Sequence, residues 1–132
     1  MRTLKILTVL TASFSFFVLL AQDADYQGWM KSVAGSNGKL QKGIAAKDAA
    51  AAAEATNLEG IFKQVEGFWA KRNTADAVGF AKQAHMAAGA AAKAITAGNW
   101  DQAAAEGKTL GAQCASCHMA HRAGEKGNFS IK

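Results

Sequence analysis

The chain has 132 residues, a formal net charge of +5, two cysteines and no proline, and half of its residues are hydrophobic. That length supports one small domain, and two cysteines cannot build a disulfide framework. Lysines and arginines are spread among acids rather than massed in a block, which argues against nucleic-acid binding.

The first element is a leader. Arg2 and Lys5 form a basic head, residues 6–21 are uncharged and mostly apolar, and Gln22, Asp23 and Asp25 follow. This order resembles a secretory signal peptide. The run is shorter than the roughly 20 residues a spanning helix prefers. We therefore expect cleavage after Ala21, with Ala24 as a second option. Residues 22–132 are then an exported domain that does not span the membrane. An uncleaved anchor is the alternative reading of the leader. Because Arg2 and Lys5 leave with it, the basic charge says little about partners.

Abundant alanine and the lack of proline favour helix throughout the rest. Four helical stretches follow. Helix one is expected over 25–44, with Tyr26, Met30, Val33, Asn37, Leu40 and Ile44 at helical offsets. Its glycines weaken it, and Gly35-Ser36-Asn37-Gly38 reads as a kink, a break, or a place where a flat ligand or a backbone comes close. Helix two is expected over 48–72, capped by Asp48. It has the clearest stripe: Leu58, Ile61, Phe62, Val65, Phe68 and Trp69. The alanine run 49–53 before it reads as filler or as a close helix contact.

Helix three is expected over 74–97, capped by Asn73 or Thr74 and ended near Gly98. Val78, Ala81, His85, Ala88, Ala92 and Ile95 are its inward face on this reading. Helix four is expected over 99–122, and the tail 124–132 reads as coil. Short connections make neighbours antiparallel, so the fold class is all-α, an up-down-up-down four-helix bundle.

Helix four carries Cys114-Ala115-Ser116-Cys117-His118. Cys-x-x-Cys-His is the attachment signature of a c-type haem. Positions i, i+3 and i+4 share a helix face, so both sulfurs and the imidazole project toward one flat ligand. The thiols suit thioether bonds to the haem vinyl groups, and the histidine suits the iron. A thioredoxin-like pair usually accompanies a βαβ pattern, which is absent here. A zinc site wants four ligands, for which only His85 and His121 are to hand. A disulfide across three residues would do little for a helix. Gly107, Leu110 and Gly111 precede Cys114 on its face, and the glycines would leave room for a ring.

An exported four-helix chain with Cys-x-x-Cys-His in its last helix resembles the cytochrome c′ and cytochrome c-556 family over essentially all of residues 22–132. The resemblance implies one covalent haem c with its iron, thioethers at Cys114 and Cys117, and His118 as the proximal ligand. Arg122 matches the arginine one turn beyond the histidine and is implied to approach a propionate or the proximal pocket. His121 stands where the family commonly has an aromatic residue.

The helix-one segment Tyr26-Gln27-Gly28-Trp29-Met30-Lys31 resembles that of c-556 members, which makes Met30 the expected sixth iron ligand. The implied function is electron transfer by Fe(III)/Fe(II) cycling in the periplasm, with redox proteins as partners and no substrate transformed. The alternative is a five-coordinate cytochrome c′-like protein that binds nitric oxide or carbon monoxide, with Met30 a core residue. A peroxidase would need an acid–base group over the iron, and helix one offers none. The family also implies pairing of two copies through helices one and two, for which the alanine face near Asp48 is available.

Overall fold

The computed structural model describes residues 2–132, with side chains from Asp23 onward. Residues 1–21, the expected leader, lie outside the described side chains. The helices are α1 (Arg2–Ala46), α2 (Ala51–Lys71), α3 (Ala75–Thr96) and α4 (Trp100–His121). A hairpin of β1 (Arg122–Glu125) and β2 (Asn128–Ile131) follows. Among the described residues no helix is long and apolar enough to cross a membrane.

Each of the first three helices stops in the same way. Lys47, Asn73 and Gly98 have positive φ, and the amides of Asp48, Thr74 and Asn99 bond back to the carbonyls of Gly43, Trp69 and Ala94. This left-handed stop satisfies carbonyls that the helix end would otherwise leave free. Asn73, expected as a cap for helix three, thus ends α2 instead. The next residue, Thr74, holds the cap position of α3 without a side-chain cap bond. Asn99 does cap α4, its Oδ1 accepting from the amide of Gln102 at 3.1 Å. Asp48 lies in the turn before α2, where Oδ1 accepts from the amide of Ala50.

Pairs along the helices run in opposite sequence order, so sequential neighbours are antiparallel. Gly43 meets Ala51, Asn57 Nδ2 donates to Ser36 Oγ at 2.8 Å, and Trp69 meets Tyr26. Glu59 lies against Gly89, and Glu66 meets His85. Asp76, at the start of α3, meets His121 at the end of α4. The bundle closes where Gln41 Nε2 donates to the carbonyl of Gly107.

The α2 stripe is buried as expected: Leu58, Ile61, Phe62, Val65, Phe68 and Trp69 all lie in the core. On α3 the buried face is Ala77, Ala81, Ala84, Ala87, Ala88, Ala91, Ala94 and Ile95. Val78, His85 and Ala92, expected inward, sit at its edge. The reason is that α3 packs on both α2 and α4, and alanine provides little contrast from which to read the direction.

Two further expectations change. α1 runs unbroken through residues 35–38, and Ser36 is buried there while Asn37 is only partly covered. A Cβ at Gly35 or Gly38 would meet nothing within 4 Å, so neither glycine admits a close neighbour. The tail is a hairpin rather than coil, with Arg122 opposite Ile131 and Gly124 opposite Phe129. Gly124 and Gly127 supply positive φ around its turn.

Candidate functional site

The Cys-His turn gathers because α4 is regular there, so three side chains spaced three and four apart emerge on one side. They face a cleft that all four helices line. Its walls are Tyr26, Met30 and Val33 from α1, Phe62 and Val65 from α2, Phe80, Ala81 and Ala84 from α3, and Gln113, Cys114, Cys117 and His118 from α4. Met30 is thus brought to the same cleft as the motif, although 84 positions separate Met30 and Cys114 in the numbering. α1 touches α4 far less than α2 does α3, and the lining of α4 stays half-buried.

The walls are almost wholly apolar, which sets the protonation of the groups among them. Burial pushes the Cys114 thiol up and the Cys117 thiol up to about 11, the latter helped by Cys114 and by the charge of Asp76. Burial, and then the charge of Arg122, holds His118 below the usual histidine range. At neutral pH the site therefore presents two thiols and a neutral imidazole with a free lone pair. Both cysteines are unpaired.

This donor set suits a haem. Two thiols and an imidazole sit on one side, a thioether lines the same cleft, and aromatic and aliphatic walls enclose them. The enclosed room is smaller than such a ring, about 20 Å³, or about 350 Å³ with the open mouth included. The cleft would therefore have to open to admit one. Among the described residues no three His, Cys, Asp or Glu side chains converge as an ion held by side chains alone would require. His85 and His121, the two that might complete a zinc set, point elsewhere. His85 Nε2 lies 2.7 Å from Glu66 Oε2, and His121 Nε2 lies 2.9 Å from Asp76 Oδ2.

Arg122 and Gly107, both expected near a haem, lie outside the cleft lining. Arg122 begins β1, and its guanidinium lies over the Phe129 ring, 4.1 Å from the centroid. Its charge still reaches His118. Met86 and Met119 are exposed. Trp29 and Phe68 line a separate surface groove with Asp25, Gln64, Gly67 and Lys71. Gly107 leaves no room for a ring: a Cβ there would press on Gln41 and on Ile44 Cδ1 at 3.2–3.3 Å.

Phe80 also lines the site, and no motif in the sequence points to it. It is the one aromatic residue of an otherwise alanine-rich α3, and that isolation was the available signal. Val33, Val65 and Gln113 join the lining only because the helices converge.

Tyr26 anchors the cleft at one end. Its hydroxyl accepts from Trp69 Nε1 at 3.4 Å, and its ring packs on Phe68 with centroids 4.5 Å apart. Burial pushes its phenol up to about 12. Arg72 stacks on the outer face of Phe68 and pairs with Asp23, tying α1 to the end of α2.

Comparison of the chain with protein-family models, with curated proteins and with solved structures gave no match.

Proposed function

We propose that this chain is an exported single-haem c-type cytochrome of the cytochrome c′/c-556 kind that carries electrons between redox proteins of the periplasm. One juxtaposition supports this reading: Met30 on α1 lines the same apolar cleft as Cys114, Cys117 and His118 on α4. Cys114 and Cys117 each bring a protonated, unpaired thiol and would hold a haem covalently, as thioethers to its vinyl groups, without any change of oxidation state. His118 offers a neutral imidazole nitrogen, and Met30 offers a thioether sulfur. When bound, the haem supplies reversible one-electron chemistry, with thioether ligation raising the potential.

The remaining walls exclude water. Phe62, Val65, Phe80, Ala81 and Ala84 give the cleft an apolar wall opposite the motif, which suits the flat apolar ring of a haem.

The test is the absorption spectrum of the purified ferrous protein before and after carbon monoxide. A sharp, split low-spin spectrum that ignores the gas supports the carrier. Met30→Ala should then give a gas-reactive, five-coordinate haem, and an unchanged low-spin spectrum in that variant removes Met30 as ligand. The second reading is a five-coordinate gas-binding protein. It is favoured by Val33, Phe62 and Val65, which line the cleft together with Met30 and would supply an apolar cover over a bound haem. A broad high-spin spectrum that sharpens with the gas would select it.

A further inference from the structure

Sequence resemblance leaves one residue near the motif without a role. His121 lies one turn past Cys117. Its surroundings are specific. The ring packs on Trp69 with centroids 4.9 Å apart, and Nε2 lies 2.9 Å from Asp76 Oδ2. Trp69 in turn donates to Tyr26. The cluster thus takes one residue from each helix: Tyr26 from α1, Trp69 from α2, Asp76 from α3 and His121 from α4.

Two backbone bonds complete the end of α4. The amide of Arg122 bonds to the carbonyl of His118, and the amide of Lys132 to the carbonyl of His121. The imidazole of His121 is mostly covered, with 15% of its side chain exposed, while Asp76 is 56% exposed. Asp76 is nonetheless close enough to raise the Cys117 thiol, and its bond to His121 holds its own carboxyl below the usual carboxylate range.

We propose that His121 is a positioning residue for the Cys-His turn. Held between Trp69 and Asp76, it locks the last turn of α4, and through that turn it sets the Cys117 thiol and the His118 imidazole against the cleft. An aromatic residue at this position could stack on Trp69, but only a side chain with an N–H or O–H donor can also bind Asp76. The consequence for a bound haem rests on the function proposed above; the geometric role does not.

The test uses the full chain without haem, then loaded with it. His121→Ala, His121→Gln and Asp76→Ala are compared with the parent by the alkylation rates of Cys114 and Cys117 with iodoacetamide and by the ring resonances of His118. His121→Ala should speed Cys117 over Cys114 by on the order of fivefold, the opening expected when one ordinary hydrogen bond is lost. The His118 resonances should shift or broaden. His121→Gln, which keeps a donor for Asp76, should restore much of the difference. Parental rates and resonances in His121→Ala would overturn the proposal. So would an equal rise at both thiols that merely follows global stability. If His121→Ala does not fold, Asp76→Ala decides, because it leaves the stack on Trp69 in place, and parental behaviour there is equally fatal. In the loaded protein the ferric spin state of His121→Ala should differ from the parent and return with His121→Gln. A parent that takes up no haem would end the cytochrome reading while leaving the thiol and resonance measurements to judge His121.

Discussion

At the end where α1 turns into α2, Gly43 meets Ala51 and Gly107 meets Gln41 and Ile44, whereas the opposite half is built around Tyr26, Trp29, Phe68 and Trp69. Small residues bring helix backbones together and leave no space. Large rings hold them apart, and the cleft lies on that side, between Tyr26 and Cys117 at one limit and Val33 and Gln113 at the other. The same four helices thus make a tight clasp at one end and a small, open-mouthed apolar cleft at the other. Side-chain volume sets the difference, because interiors pack to near-crystalline density and tolerate few voids.

The sharpest way to break this contrast is Trp69→Ala. It removes a buried ring, the donor to Tyr26 and the surface on which His121 rests. We expect a loss of about 3–5 kcal/mol in urea unfolding, and a loss under about 1 kcal/mol would mean the aromatic half is not what holds the helices. Gly43→Val attacks the tight end. Ala51 stands directly against any Cβ there and has no flexible reach to withdraw, so the expected cost is about 1–3 kcal/mol.

Alkaline pH should weaken the aromatic half more gently. In the chain without a cofactor, Cys117 and Tyr26 are protonated in folded and unfolded states alike at neutral pH, and their contribution is fully present. As pH rises, the unfolded cysteine and then the unfolded tyrosine lose their protons. The folded groups hold theirs to about 11 and about 12. The unfolded state then binds fewer protons, so stability should fall with rising pH until the folded groups also titrate. Urea midpoints measured across that range check it, and Tyr26→Phe should flatten the upper part of the fall. The smallest effect expected is a gain. Gly35→Ala meets open space in the middle of α1 and should stabilise by roughly 0.5–1 kcal/mol, read from the thermal midpoint.

Legibility in the sequence followed contrast between neighbouring residues. Leu58, Ile61, Phe62, Val65, Phe68 and Trp69 stand out from polar neighbours, and their face was readable in advance. On α3 the buried and half-buried positions are both largely alanine, so the inward face drifted by a residue. The hairpin is hard to read in the sequence because its strands are only four residues each and mostly exposed, so the alternation in Asn128-Phe129-Ser130-Ile131 is too short to stand out. Gly124 and Gly127-Asn128 are the turn signals there. The glycines of 35–38 misled in the opposite sense. Their local cost is real, but α1 keeps its backbone bonds and is pinned nearby by Ser36 and Leu40, and tertiary contact outweighs propensity over so short a stretch.

For the candidate site the division is similar. The grouping of Cys114, Cys117 and His118 is a property of helical periodicity, so local sequence alone determined it. The four helices and their short turns were likewise determined locally, through alanine, the absence of proline, and Gly98 and Asn99 at the last break. Only the tertiary structure brought Met30, Phe62 and Phe80 to that motif, drew His121 onto Asp76 and Trp69, and closed Gly107 on Gln41. Those meetings depend on how far apart each pair of helices stands, and that distance is set by the summed volumes of side chains from four separate segments rather than by any one of them.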